Sequence, residues 1–236
     1  MKILPGIHAH DLALVYKENL ILGDVQLGHE EALEGRGLLL PRFQLKDILQ
    51  RLEKIFAEPG ARRVRRVIIN GDLKHEFGTI TTQEWRDALQ LFDYLLRKVK
   101  EVVVIRGNHD MVLGPVAAKR DIRIVERWED NLVTIVHGHV VPLVMKNVVI
   151  IGHEHPCISF PEKPHEKFKC YLVGSYKEKK LVVMPSFTSL TMGSDITSAE
   201  RLSPFLQCDL GSFSCYVVDD EGNVRFFGKV KDVERL

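Results

Sequence analysis

Five short apolar runs punctuate the first two thirds of the chain, and each gives way abruptly to glycine or a polar side chain. Leu20, Ile21 and Leu22 precede Gly23-Asp24; Val67, Ile68 and Ile69 precede Asn70-Gly71-Asp72. Residues 102–105 lead to Gly107-Asn108-His109-Asp110, residues 133–136 to His137-Gly138, and residues 148–151 to Gly152-His153-Glu154-His155. Near-continuous β-branched runs of this length read as strands buried on both faces. Between some of them the apolar spacing changes to three and four. Residues 42–57 place Leu45, Ile48, Leu49, Leu52, Ile55 and Phe56 on one helical face, and Pro59-Gly60 stops that helix. Residues 82–98 form a second helix, opened by a Thr81/Glu84 capping box, with Trp85, Ala88, Leu89, Phe92, Leu95 and Leu96 as its core stripe.

From Pro156 the pattern shortens. Residues 171–173, 181–183, 214–218 and 224–227 read as strands of an antiparallel or mixed sheet, with a hairpin at Gly222-Asn223. Residues 185–206, rich in Ser, Thr and Pro, are either a functional loop or a place where periodicity misleads. With no repeat, low-complexity tract or linker, the simplest organisation is one domain over residues 1–236. Its class is α+β, an α/β sandwich of two packed mixed sheets flanked by helices in four layers.

Composition narrows the function classes. Across 236 residues, 33 Lys plus Arg balance 32 Asp plus Glu for a net charge of +1, which argues against a bulk polyanion binder while leaving room for a local basic cleft. The densest basic cluster, residues 62–66, reads first as a solvated approach to the strand at Val67, with phosphate tracking near the site as its functional alternative. Residues 163–169 and 177–180 read as surface charge. No apolar run matches a membrane span, and the N-terminus lacks the apolar core of a signal peptide. Four cysteines without a C-x-x-C pair suit a reduced, cytoplasmic protein.

Each of the five runs ends in Asp, Asn or His. Ligands of open α/β sheets sit beyond the carboxyl ends of strands. If these strands are neighbours, Asp24, Asp72, Asn108, His137, His153 and His155 converge on one rim. Carboxylate, amide and imidazole donors together suit Mn, Fe or Zn better than a thiolate-binding ion.

GD-x-x-H at 71–75, GNHD at 107–110, His137-Gly138 and GHEH at 152–155 stand in the order of the calcineurin-like metallophosphoesterase superfamily, which the chain therefore resembles. Gly28-His29-Glu30-Glu31, Pro41-Arg42-Phe43-Gln44, the proline after GHEH and Met184-Pro185-Ser186-Phe187 are also similar to archaeal SbcD-related and DNA ligase- or helicase-associated phosphoesterases. The resemblance implies a sandwich of two mixed sheets with helices outside. It also implies a centre of two divalent metal ions, Mn first, with Fe, Zn, Ni or Mg as alternatives. One ion would take Asp24, the position of Gln26, Asp72 and His155; the other would take Asp72, Asn108, His137 and His153. His109 would be the proton donor, Asp110 would orient it, and His75 would touch substrate.

The first motif departs from the family's D-x-H, because Gln26 stands where an imidazole is usual. The Asp24 side should therefore bind more weakly; the alternatives are that His29, read as a loop residue on the substrate side or surface, compensates, or that this site is partly lost. His8, His10, His139 and His165 match no motif position, although His139 follows His137 closely enough to reach the site. The implied activity is a dinuclear-metal phosphodiesterase, a DNA-processing nuclease that hydrolyses through a metal-bridging hydroxide. The residual charge of about +1 would attract a phosphodiester. The alternatives are a phosphoesterase of small or cyclic nucleotides and a non-catalytic protein-binding scaffold. The implied partners are a phosphoester, DNA included, and DNA-repair helicase or ligase machinery, with no membrane.

Overall fold

The computed structural model describes residues 1–38, 41–160, 163–197 and 200–233. The chain opens with four strands joined by tight turns: β1 (Lys2–Leu4), β2 (Ile7–His10), β3 (Ala13–Tyr16) and β4 (Asn19–Gly23). The first three lie outside the five apolar runs. β2 alternates buried Ile7 and Ala9 with exposed His8, a pattern too brief to stand out along the chain. Then follow α1 (His29–Gly35), α2 (Gln44–Ala57), β5 (Arg66–Asn70), α3 (Thr82–Lys98), β6 (Glu101–Ile105), α4 (Gly114–Ala118) and β7 (Arg123–Val125). The first sheet runs β1 to β7 in chain order, antiparallel through β4 and parallel from there. Its register sets Gly23 opposite Asn70 and Asn70 opposite Ile105, so three strands end level with one another.

The two long helices form where their periodicity places them. Thr81 and Glu84 make the reciprocal capping box that starts α3. The buried face of α3 is rotated slightly from the expected stripe: Leu91 and Tyr94 are buried while Leu96 faces solvent. Lys98 ends the helix and Val99 goes inward, which turns the last turn outward. α1 and α4 carry too few apolar positions to be read as helices.

The second sheet comprises β8 (Trp128–Glu129), β9 (Val133–Ile135), β10 (Val148–Ile151), β11 (Pro156–Phe160), β12 (Lys163–Tyr176), β13 (Lys179–Val183), β14 (Ser194–Asp195), β15 (Ser214–Val218) and β16 (Val224–Lys229). β9, β10 and β13 are parallel neighbours; β12 pairs antiparallel with β11, β13 and β15, and β15 with β16. A last turn, α5 (Val230–Val233), closes the described chain.

The five apolar runs therefore belong to two sheets, three to the first and two to the second. Alternation along β10 sends Ile150 into the core between the sheets and Val149 and Ile151 into a second core outside. Helices α3 and α4 pack on the first sheet and α2 packs on α3. The outer face of the second sheet is covered by Ile196, Phe205 and Leu206 from the Ser- and Pro-rich segment, together with Leu210 and Phe213 just after it and Val230 of α5. That segment is thus largely a structural cover, although residues 198–199 lie outside the described residues. Tyr171, fully buried, ties the sheets by donating its hydroxyl to the Asp11 carbonyl (2.8 Å). All four cysteines are free, and three of them are buried. No helix among the described residues is long and apolar enough to cross a membrane.

Candidate metal centre

The two sheets meet at their carboxyl ends, and the motif residues hang from the turns there. Asp24, Gln26, Asp72, His153 and His155 all have positive φ, between 44° and 64°. L-residues pay roughly 1–2 kcal/mol for that conformation. Backbone stitching holds them in it. Gln26 N–H donates to the Asp72 carbonyl (2.8 Å), Leu27 N–H to the Leu73 carbonyl (2.8 Å), and His153 N–H to Asp24 Oδ2 (3.0 Å). Gly107 and Gly152 are needed for close approach: a Cβ at Gly107 would overlap Asp72, and one at Gly152 would overlap the Asp24 carboxylate.

Two donor groups result. His137 Nε2 lies 2.9 Å from Asn108 Oδ1, 3.1 Å from His153 Nδ1 and 3.5 Å from Asp72 Oδ2. The ligand atoms of Asp72, His137 and His153 all fall within 4.8 Å of one another. On the other side Asp24 Oδ1 lies 3.0 Å from His155 Nε2 and 3.4 Å from His137 Nδ1. Asp24 Oδ1 and His155 Nε2 are buried and make no hydrogen bond among the described residues. Leaving such atoms unsatisfied costs about 1–3 kcal/mol each. Two buried acceptors facing one another fit a shared cation. Gln26 is buried; its backbone carbonyl accepts from Gln44 Nε2 (2.8 Å) and its N–H is tied to the turn that carries Asp72.

The electrostatics agree. Burial resists a charge on His137, yet the Asp24 and Asp72 carboxylates override it and lift its pKa to about 9. Burial likewise opposes ionisation of Asp72, but the His137 hydrogen bond and the charges of His137 and His109 hold it down to about 2. The cluster thus calls for positive charge at its centre. His153 is kept neutral, at about 4, by burial and then by His137.

A wall of rings flanks this centre. His29 and His75 stack at 4.1 Å between centroids, and Phe77, largely exposed, packs on His109 at 3.5 Å. His29 opens α1 rather than lying in a loop, which corrects that expectation, and it stacks on His75, in line with its reading as a substrate-side residue rather than a ligand of the Asp24 side. His75 is held down to about 4 by burial and then by His29 and His109. His109 N–H donates to Asp72 Oδ1 (3.0 Å), and its Nε2 lies 3.6 Å from Asp72 Oδ2.

The orienting role expected of Asp110 is corrected here. The partner of His109 Nδ1 is the His75 carbonyl. Asp110, fully buried, accepts instead from Leu73 N–H (3.1 Å) and Gly107 N–H (2.9 Å), so it clamps the turn after β5 to the turn after β6. Burial, and then the Asp72 charge, raise its pKa to about 6.

Several supporting residues escaped the sequence. Glu30 accepts from the N–H groups of Phe43 and Gln44 and from Gln83 Nε2, capping α2 from outside. Hence the pieces around Glu30 and Phe43 belong together. Glu84, beyond its capping box, accepts from the N–H groups of His75 and Glu76. Lys169 Nζ, buried, donates to Ser186 Oγ (2.6 Å) and to the carbonyls of Ser186 and Thr188, while Phe187 N–H donates to the Gly23 carbonyl (2.7 Å). Glu154 accepts from the N–H groups of Leu202 and Ser203. All are charged residues on non-local partners, and only the capping box leaves a local signal. The His139 ring lies 5.1 Å from His137, at the rim. His10 pairs with Glu58, away from the site. The side chain of His165 lies outside the described residues.

With this geometry in view, the comparisons are consistent. The family model of calcineurin-like phosphoesterases matches residues 20–141, just over half of the chain. No curated protein sequence matches. Among solved structures the fold is similar to the nuclease MPE of Pseudomonas putida, with a TM-score of 0.66 and 22% identity over 94% of each chain. A weaker likeness, TM-score 0.47 and 14% identity over 89% of this chain and 98% of the other, is to the Escherichia coli phosphoesterase YfcE. Strand ends, donor set and family model together make this chain a member of the calcineurin-like phosphoesterase family, a metal-dependent phosphoesterase.

Proposed function

We propose that the chain is a dinuclear phosphodiesterase acting on nucleic acid, with DNA as the first candidate. The observation that carries this reading is the pair of donor groups around Asp72, one holding two buried acceptors that lack any hydrogen bond. Asp72, Asn108, His137 and His153 would hold one ion; Asp24, Gln26, Asp72 and His155 would hold the other, with Mn the preferred metal. When bound, such a pair polarises phosphoryl oxygens and activates water.

The chain's own groups do the rest. Asp24 and Asp72 would offset part of the ions' charge and leave the centre positive enough to attract a phosphodiester. His109 Nδ1 meets the His75 carbonyl and its Nε2 lies 3.6 Å from Asp72 Oδ2, so the ring is held with Nε2 toward the centre. Such a ring can release a proton to a departing alkoxide, an effect of roughly 10²–10⁴-fold. His75, neutral at physiological pH, does not compete for that role and instead buttresses the ring's orientation through its carbonyl. The DNA preference is supported by the resemblance to SbcD-type sequences and by the nuclease with which the fold is shared. Association with repair helicase or ligase machinery has the sequence resemblance alone behind it.

The test is turnover of plasmid DNA, single strands, bis-p-nitrophenyl phosphate and p-nitrophenyl phosphate in Mn²⁺, beside metal analysis. Diesters should be hydrolysed faster than the monoester, with two ions per chain. Equal or faster monoester turnover overturns the diester reading, and a chain that binds no metal overturns the centre.

A further inference from the structure

The basic cluster at residues 62–66 does not lie near the metal ligands, as the phosphate-tracking alternative required. It sits at the other end of the first sheet. Arg65 and Lys100 directly precede β5 and β6, whereas Asp72 and Asn108 follow them. Five-residue strands put roughly 16 Å between the two ends.

There the turn after α2 meets the end of α3 around a concavity of about 660 Å³, lined by Arg62, Arg63, Arg65, Arg97, Lys98 and Lys100 with Glu18 as its one acid. Backbone bonds fix the convergence: the Arg65 carbonyl accepts from Lys100 N–H (2.9 Å), and Arg65 N–H donates to the Glu18 carbonyl (2.8 Å). Six cations against one carboxylate is a large local excess in a chain of net charge +1.

Several basic residues elsewhere on this sheet are paired. Arg66 and Arg123 share Glu101, Arg106 meets Glu126, and Arg120 meets Asp93. Within the concavity only Arg65 (with Glu18, 3.3 Å) and Lys98 (with Glu53, 2.9 Å) are paired. Arg62, Arg63, Arg97 and Lys100 make no ion pair within 4.0 Å among the described residues, although Arg97 feels Asp93, already paired with Arg120, one turn back on α3. The negative end of the α3 dipole accounts for Arg97 and Lys98. It does not account for the three arginines brought in from another element against their mutual repulsion.

We propose that this concavity is a binding site for the phosphodiester backbone of nucleic acid, separate from the hydrolytic centre. Arginine forks match phosphate oxygens two at a time. Aromatic side chains are absent from the lining, so bases gain no stacking platform and binding is independent of base sequence. The only apolar lining residues, Val64 and Val99, are half-buried and buried, so an acidic protein would find no apolar anchor. This binding needs no metal and does not depend on the hydrolytic reading.

The experiment measures affinity for labelled single-stranded and duplex DNA in EDTA across a salt series, for the full chain and for the triple variant Arg62→Gln, Arg63→Gln, Arg97→Gln. In the variant the slope of log K against log salt should become shallower by about 2.7 for duplex or 2.1 for single strands. Its thermal midpoint should be unchanged or higher, because repulsion is relieved. An unchanged slope overturns the proposal. So does wild-type binding of inorganic tripolyphosphate without binding of DNA, which would make this a small-polyphosphate site. Preference for poly-glutamate over DNA of equal charge would overturn it in favour of an acidic protein.

Discussion

Gly107→Ala probes how closely the turns after β5 and β6 must approach. The new Cβ would overlap both the backbone nitrogen and the carboxylate of Asp72. Backbone cannot rotate away as a flexible side chain can. Reaching an ordinary contact requires the two turns to part by about 1 Å. Gly107 N–H also donates to Asp110, which holds Leu73 from its other oxygen, so the separation strains that clamp as well. Overpacking of this kind costs about 1–3 kcal/mol. Because Asp72 moves with the turn, metal affinity should fall about 10–100-fold, the usual effect of disturbing a ligand's support. Urea unfolding with calorimetric Mn²⁺ titration reads both effects. Gly35→Ala is the control: it sits in the last turn of α1 with open space around it, and alanine there should be neutral or stabilising by up to about 1 kcal/mol. Wild-type stability together with wild-type metal affinity in Gly107→Ala would refute the close approach of Asp72.

Three further outcomes are expected. His109→Ala should lower turnover at least 100-fold with unchanged metal content, measured by single-turnover kinetics and metal analysis; loss of metal would make His109 a ligand instead. Gln26→His, which restores an imidazole to the Asp24 side, should shift activation to lower Mn²⁺ concentration, and an unchanged activation curve would remove residue 26 from the ligand set. Burial, and then Arg51, hold Lys169 down to about 7. Above that pH the unfolded chain binds a proton that the folded chain lacks, so this residue's contribution to stability rises with pH. The stability difference between wild type and Lys169→Met should therefore move in favour of wild type by up to about 1.4 kcal/mol per pH unit between pH 7 and 10. A flat difference would mean that the three surrounding oxygens keep the ammonium charged.

Local periodicity carries only local information, and the correspondence between sequence and structure follows that division. The β-branched runs became β4, β5, β6, β9 and β10, and the capping box and stripe placed α3 at Thr82–Lys98, because spacings of two and 3.6 are properties of neighbouring residues. The identity of the donor residues was legible for the same reason: each follows directly on a strand run. The short N-terminal strands were not, since three or four residues hold at most two periods of a strand pattern.

What the sequence determined by itself was which side chains end the strands and what chemistry they offer. Only the tertiary structure decided that these strands divide between two sheets whose ends meet, which turns Asp24 toward His155 and Asp72 toward His137. It also decided that a carbonyl of His75 rather than Asp110 orients His109, and that Glu30 caps a helix fourteen residues away. The basic cluster joined Arg97 and Lys100 far from the metal ligands rather than beside them. Each of these depends on long-range pairing and on left-handed turns that L-residues adopt only where surrounding hydrogen bonds compel them, and neither is encoded in the spacing of apolar residues.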